Sequence, residues 1–280
     1  MKKLLTVLFA VLMVLSLCAC AKKEEPAPAP ETEPEPEAAE EFDPLAKSEG
    51  VMTYAEYAAA EIGAEVTIEA FVQGAQSYWN GAKLYLEDPD GAYFVYCDGK
   101  GEDVNISEDD FAKVVTGTDY SAGWIGTGTG AKVQVKGVKS EWAGEIEVAD
   151  ATVTVLDSEV WLAEAEDVTA LLGKDELAEK MNRVVRFTDM VVEASKDAEG
   201  NDVAFLYNWD GSGEPGSDLY FNVSYNGQTY TFTVESYLAY DGSKPYEAVE
   251  ALNIGDKVDM VGYLYWYNGP NPHITDVEVK

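Results

Sequence analysis

The sequence predicts a mainly β protein: two tandem five-stranded barrels, each with a short helix, behind an export signal and a disordered acidic linker. Three observations carry this. Short β-rich runs divided by turn residues fill the chain after about residue 50. One block of strand and glycine pattern occurs twice, opening at Gly130 and again at Gly255. The amino terminus pairs a basic, apolar leader with a Glu/Pro/Ala tract that has almost nothing to bury.

Lys2 and Lys3 precede an uncharged, mainly apolar run from Leu4 to Leu17, the pattern of a secretory signal over residues 1–19. The run is short of the about 20 apolar residues a spanning helix needs. Leu17-Cys18-Ala19-Cys20 resembles the bacterial lipobox, in which a small residue precedes the modified cysteine. That resemblance implies cleavage before Cys20 and a diacylglyceryl group on it, rather than an ordinary cleaved signal or an uncleaved anchor. It places the protein at the cell membrane, lipid-anchored on the extracytoplasmic face. Residues 20–48 read as the linker. Their alternating prolines favour a semi-rigid extended spacer, stretched further by like charges. The folded part divides into barrel 1 (49–160) and barrel 2 with preceding short helices (161–280).

The whole chain carries a formal charge of −33. A field of that sign repels polyanions, so nucleic acid is not expected as a partner, and a neutral or cationic ligand is. Beyond Cys18 and Cys20 the only cysteine is Cys97, so the mature chain has no internal disulfide. Cys97 ends the apolar run Tyr93-Phe-Val-Tyr96 and is expected as a buried structural thiol.

In the first half, Val66, Ile68, Ala70 and Val72 alternate with other residues as in a half-buried strand. Lys83–Leu86 and Tyr93–Tyr96 follow, joined through the turn Asp88-Pro-Asp-Gly91. Ser107 caps a brief helix with Phe111, Val114 and Val115 on its face. After a Gly-rich stretch (116–130), Lys132–Val138 and Glu145–Leu156 are the last two strands. Thr53-Tyr-Ala-Glu56 is a capping-box pattern ahead of the first strand.

The second half repeats this order. Residues 175–181 read as helix, and Val185, Phe187 and Val191 alternate in a first strand. Val203–Tyr207 and Leu219–Val223 read as the next pair, with Thr229–Val234 as an extra strand-like piece. Ser243-Lys-Pro245 opens a helix with Tyr246, Val249 and Leu252 on one face, and Lys257–Tyr265 and His273–Val279 close the chain.

Gly130-Ala-Lys-Val-Gln-Val-Lys-Gly137 matches Gly255-Asp-Lys-Val-Asp-Met-Val-Gly262, and Val66 and Ile68 match Val185 and Phe187. Three strands, a helix and two strands, with a Gly-x-Lys-Val opening to the fourth strand and a later glycine suited to a kink or bulge, resemble the OB-fold, a five-stranded Greek-key barrel. With the leader, the chain is similar to Gram-positive surface lipoproteins that carry such barrels.

Catalytic chemistry finds little footing. His273 is the only histidine and is expected as a solvent-exposed strand residue. With Cys97 alone beside it, neither a Cys–His pair nor a His/Cys zinc set can form. No Gly-x-Ser-x-Gly elbow is present, and Gly126-Thr-Gly-Thr-Gly130 lacks the lysine-serine of a phosphate loop. Asp197-Ala-Glu-Gly-Asn-Asp202 reads as a polar hairpin turn rather than a calcium loop. No catalytic residue, metal or cofactor is assigned, and an enzyme is not expected.

Aromatic residues are the enriched feature. Tyr207, Trp209, Tyr220 and Tyr225 lie on the second and third strands of barrel 2, and Tyr265, Trp266 and Tyr267 at its last turn. The OB resemblance implies a ligand face on those strands and flanking loops. Tyr207, Trp209, Tyr220, Tyr265, Trp266 and Tyr267 are therefore the candidate ligand-binding residues, although about half of any strand's aromatics must point inward. Tyr78, Trp79, Tyr93 and Trp142 occupy comparable places in barrel 1. The expected role is a non-catalytic binding module for glycan or peptide, with a structural adaptor in an envelope protein complex as the alternative and a cell-wall-acting enzyme third.

Overall fold

A computed structural model describes residues 42–77, 81–97, 105–116 and 127–280. The leader, Cys20, the linker as far as residue 41, Tyr78, Trp79 and residues 117–126 of the Gly-rich stretch lie outside the described residues.

Barrel 1 begins with α1 (Tyr54–Ala59), held at its start by the capping box in which Thr53 Oγ1 accepts the Glu56 N–H and Glu56 accepts the Thr53 N–H. Five strands follow: β1 (Glu65–Ser77), β2 (Lys83–Glu87), β3 (Ala92–Val95), β4 (Lys132–Trp142) and β5 (Glu145–Val155). They close in the order 1-2-3-5-4. Only β3 and β5 run parallel, with Phe94 opposite Glu147. Val66, Ile68, Ala70 and Val72 point inward to meet Leu84, Leu86, Tyr93, Val95, Val133 and Val135. Between β3 and β4, α2 (Glu108–Val114) sets Phe111 and Val114 into the same core. The carbonyls that α1 leaves open at its end are met by buried Lys139, whose Nζ donates to Tyr57, Ala58 and Ala60 at 3.0, 2.9 and 2.9 Å.

Barrel 2 contains β6 (Glu166–Asp167), β7 (Val184–Glu193), β8 (Ser195–Lys196), β9 (Asp202–Val203), β10 (Phe205–Tyr207), β11 (Leu219–Tyr225), β12 (Gln228–Val234), β13 (Lys257–Tyr263) and β14 (His273–Val279), with α3 (Lys244–Glu250) before β13. Strands β7, β11, β12, β14 and β13 close in the same order as barrel 1, and β12 and β14 are again the parallel pair. The internal repeat is a register: Val66 pairs with Gly137, and its counterpart Val185 pairs with Gly262. Both halves thus have OB-fold-like topology. Residues 175–180 form a 3₁₀ helix.

Three strand readings are corrected. Thr229–Val234 is no addition: β12 is the third barrel strand. The second is β11, while β10, within the run Val203–Tyr207, is the extra piece, pairing with the start of β11 outside the barrel. β10 has three residues, too few for periodicity to rank it below β11. Val191 does not continue the inward set of Val185 and Phe187. Asp189 has φ +53° at a register shift, so the inward residues change parity to Met190 and Val192.

The barrels share a buried seam within one compact unit, Phe42–Lys280. The outer face of β2 and β3 presents Tyr85 and Phe94, which pack with Leu238 and Tyr263. Tyr85 stacks on Tyr263 with centroids 4.1 Å apart. Polar bridges surround these rings. Arg183 Nη1 meets Glu87 Oε1 at 2.9 Å, Glu145 accepts from Asn182 Nδ2 and the Trp266 N–H at 2.6 and 2.9 Å, and Tyr263 Oη donates to the Gln73 carbonyl at 2.7 Å. His273 belongs to this seam. It is buried, not solvent-exposed, because β14 starts where barrel 1 covers it. Cys97 is half-buried, with its Sγ against Gly81. Residues 42–48, assigned by composition to the linker, lie against barrel 1: Phe42 meets Phe71 edge-on at 6.1 Å, and Lys47 pairs with Asp88.

Candidate functional site

β11 and β12 have one face in the barrel core and one turned away from it, open to solvent at Thr231 and covered at Thr233. Leu219, Phe221, Val223, Phe232 and Val234 point inward, so the alternation turns Tyr220, Asn222, Thr231 and Thr233 outward. Two turns rise beside this face. One follows β10: Asn208 adopts φ +63°, its N–H donates to the Asp218 carbonyl at 2.8 Å, and the Gly211 N–H closes onto the Asn208 carbonyl at 3.2 Å. This turn holds Trp209 out, 73% exposed. The other joins β13 to β14. Asn268 at φ +54° and Gly269 at φ +141° fold it back, the Asn271 N–H bonds the Tyr265 carbonyl at 2.9 Å, and Tyr267 stands 54% exposed. The Asn268 N–H also reaches the Ala143 carbonyl of barrel 1 at 2.6 Å, which fixes the turn from behind.

The result is a cleft of about 720 Å³ walled by Trp209, Tyr220, Tyr267 and Pro270, with Thr231, Asn268 and Asn271 supplying polar groups. Among the described residues, no charged side chain lines it. Asn271 is oriented by Thr233 Oγ1, which donates to its Oδ1 at 2.8 Å, and Thr231 Oγ1 donates to Asn222 Oδ1 at 2.8 Å. Burial, then the charges of Asp218 and Glu235, push the Tyr220 phenol up to about 12, so it stays neutral.

Of the six candidate residues, the structure brings Trp209, Tyr220 and Tyr267 together here. It does not bring the other three. Tyr207 lies on β10, edge-on to Phe205, with its hydroxyl donating to Glu250 Oε1 at 2.5 Å. Tyr265 belongs to the seam, stacked on His273 at 4.4 Å and edge-on to Phe94 at 5.4 Å. Trp266 packs on the barrel 2 core and against Gly144. Tyr225 also packs on that core, Tyr93 lies inside barrel 1, and Trp142 stands exposed at the β4–β5 turn. The polar lining residues Thr231, Asn268 and Asn271 carry no signal of their own in the sequence. Thr231 becomes visible only once β12 is paired with β11, since it sits opposite Asn222 on the face Tyr220 shares.

A tandem OB-fold-like protein with one uncovered strand face is the class that topology and cleft define. No protein-family model matches the chain. No curated protein matches it. Solved structures with a similar course include a murine DNA-binding protein bound with double-stranded DNA (11% identity, 76% of this chain and 97% of that one, TM-score 0.32), the tetrameric p202 HIN2 (11%, 79% and 96%, TM-score 0.31) and the Ifi202 HINa domain in complex with 20-bp double-stranded DNA (11%, 78% and 98%, TM-score 0.28). Two of these chains are DNA complexes, against the expectation that sets nucleic acid aside. Net charge sums the whole surface and does not describe one face, so it does not decide the matter.

Proposed function

We propose that the protein is a non-catalytic binding module that holds a neutral, ring-bearing ligand, a glycan unit, in the Trp209–Tyr267 cleft of barrel 2. The carrying observation is the composition of the cleft: the rings of Trp209, Tyr220 and Tyr267 beside amides, hydroxyls and proline, with no charged side chain among the described lining residues. Such rings cover the apolar face of a sugar, and the few polar groups orient its hydroxyls. Among the described residues the cleft presents no carboxylate, imidazole or ammonium to act as acid or base, which supports holding over turnover. Trp209 and Tyr267 sit on turns braced by backbone hydrogen bonds, so little ordering accompanies binding.

Titration of the purified chain with neutral oligosaccharides, and in parallel with single- and double-stranded DNA, tests this reading. Saturable glycan binding should fall at least roughly tenfold on Trp209→Ala and on Tyr267→Ala, and stay unchanged on Tyr207→Phe. DNA binding lost on those same two changes would replace the glycan with nucleic acid on this face. No binding of either class would overturn the reading. We also propose that Cys20 carries the lipid that holds the module outside the membrane. A fatty-acid probe should label the wild type and not Cys20→Ser, and an unlabelled wild type would refute the anchor.

A further inference from the structure

We propose that the ligand of the barrel 2 cleft is a linear oligosaccharide whose chain leaves the cleft past Tyr267 and continues onto Trp142 of barrel 1. The inference rests on the reading of that cleft as a glycan site and extends it across the junction of the barrels. Trp142 is the last residue of β4 and stands 63% exposed, a large flat ring held in solvent at a strand end. Ala143 at φ +51° and Gly144 at φ +91° make the tight turn into β5 that places Trp142 directly opposite Glu145. Residues opposite one another in an antiparallel ladder project from the same face. Glu145 therefore tells which way the ring is turned: its Oε2 accepts the Trp266 N–H at 2.9 Å, so the shared face looks toward the β13–β14 turn of barrel 2. The hairpin is tied to that turn a second time, by the Asn268 N–H donating to the Ala143 carbonyl at 2.6 Å. Traced through this bond, the backbone puts the Cα atoms of Trp142 and Tyr267 no more than about 11 Å apart. A third contact sets the Trp266 ring against Gly144, 2.9 Å from where a Cβ would lie. Trp142 thus adds a ring beside Tyr267 on a braced support, beyond the end of the cleft. The cleft itself, at about 720 Å³, has room for more than a single sugar unit. Separate rings on rigid turns match a chain of repeating rings, each stacking on one unit. Single-stranded nucleic acid also stacks on such rows, but its phosphates call for lysine or arginine along the path, and among the described residues the cleft supplies none.

Isothermal titration of the whole chain with cellobiose, cellohexaose, maltose and maltohexaose tests the extension. In at least one series the hexasaccharide should bind at least roughly fivefold tighter than the disaccharide. Trp142→Ala should remove that gain and bring the hexasaccharide to the affinity of the disaccharide, while Trp142→Phe, which keeps a flat ring, should retain most of it. Trp209→Ala should weaken both sugars. The melting transition of Trp142→Ala should match the wild type, so that a lost gain is not a lost fold. Equal affinity for long and short sugars, or an undiminished gain in Trp142→Ala, would overturn the extension and leave the cleft reading intact. Binding of none of the four sugars would overturn both. A length-dependent gain shown by oligothymidylate and by neither sugar series, and lost in Trp142→Ala, would give the row to single-stranded DNA and overturn the oligosaccharide.

Discussion

Tyr85 of the first barrel and His273 of the second are joined directly, Tyr85 Oη lying 2.7 Å from His273 Nδ1 with both side chains buried. Burial pushes the imidazole down to about 3 and the phenol well up, so both groups are neutral across the physiological range. Two buried polar groups from different barrels thus satisfy each other.

Tyr85→Phe keeps the ring and its stacking on Tyr263 but leaves His273 Nδ1 buried without its phenol partner. The expected loss is about 1–3 kcal/mol. For a folded unit of this size that lowers the melting temperature by several degrees, roughly 2–4 °C for each kcal/mol. Differential scanning calorimetry reads it directly. An unchanged transition would mean the hydrogen bond adds nothing to the seam.

The seam should also weaken as the medium turns alkaline. Burial is the main cause that raises Glu145 from its ordinary 4.5 to about 8 and Glu147 to about 7. Each binds its proton more tightly folded than unfolded, so its stabilisation is present below pH 4.5 and is lost as pH rises through 7 to 8. His273 acts in the opposite sense: its depressed value preserves stability above pH 6.5 and loses it as pH falls toward 3. Between pH 6.5 and 8 only the glutamate effect operates among these three. The unfolding free energy measured by urea titration should fall across that interval, by at most about 1.4 kcal/mol per group for each pH unit. Glu147→Gln should flatten the slope, and an equally steep slope in that variant would assign the effect elsewhere.

The repeated glycines make a sharper demand. A Cβ at Gly262 would lie 2.2 Å from the His273 carbonyl oxygen, and one at Gly137 2.6 Å from that of Ala149. Both obstacles are backbone, at register shifts in β13–β14 and β4–β5, so neither can swing aside. Gly262→Ala should cost about 1–3 kcal/mol, as overpacking does, and Gly137→Ala somewhat less. Gly130 and Gly255 serve differently, through φ of +74° and +94° at the entry to the fourth strand of each barrel. Equilibrium unfolding of the two alanine variants measures the difference, and wild-type stability in both would disprove the steric account.

These glycines also show how far the sequence could be read. The spacing Gly-x-Lys-Val-x-x-x-Gly and the alternation of Val66, Ile68, Ala70 and Val72 report local constraints, backbone crowding and a half-buried face, and they located both barrels. Exposure of a given aromatic depends on what another part of the chain places over it, and periodicity does not contain that. Tyr265 and Tyr267 are two residues apart in the same turn. One is closed under Phe94 and the other is open to solvent. Likewise His273 reads as a strand terminus until Tyr85, 188 positions away, comes to lie on it. The cleft was half legible for this reason: the rings are conspicuous in sequence, but which of them converge follows from the order 1-2-3-5-4 and from the seam.

Trp209 and Trp266 bring that distinction to a measurement. Trp209 stands 73% exposed on a turn whose backbone bonds do not involve its indole, so Trp209→Ala should change stability by no more than about 0.5 kcal/mol. Trp266 packs on the barrel 2 core, with its ring 2.9 Å from the position a Cβ on Gly144 would take. Trp266→Ala opens a gap between the barrels beside the Glu145 carboxyl, and the expected loss is about 3 kcal/mol. The ligand titration should separate the pair in the opposite order: affinity falls in Trp209→Ala at full stability, while the Trp266→Ala protein that remains folded keeps its cleft rings. Tryptophan fluorescence quenching by acrylamide checks the premise, because Trp209 should account for a larger share of the accessible emission than Trp266. Equal destabilisation by the two changes would show that the turn after β10 leans on the Trp209 indole, and the cleft would then be a structural corner instead of a ready surface.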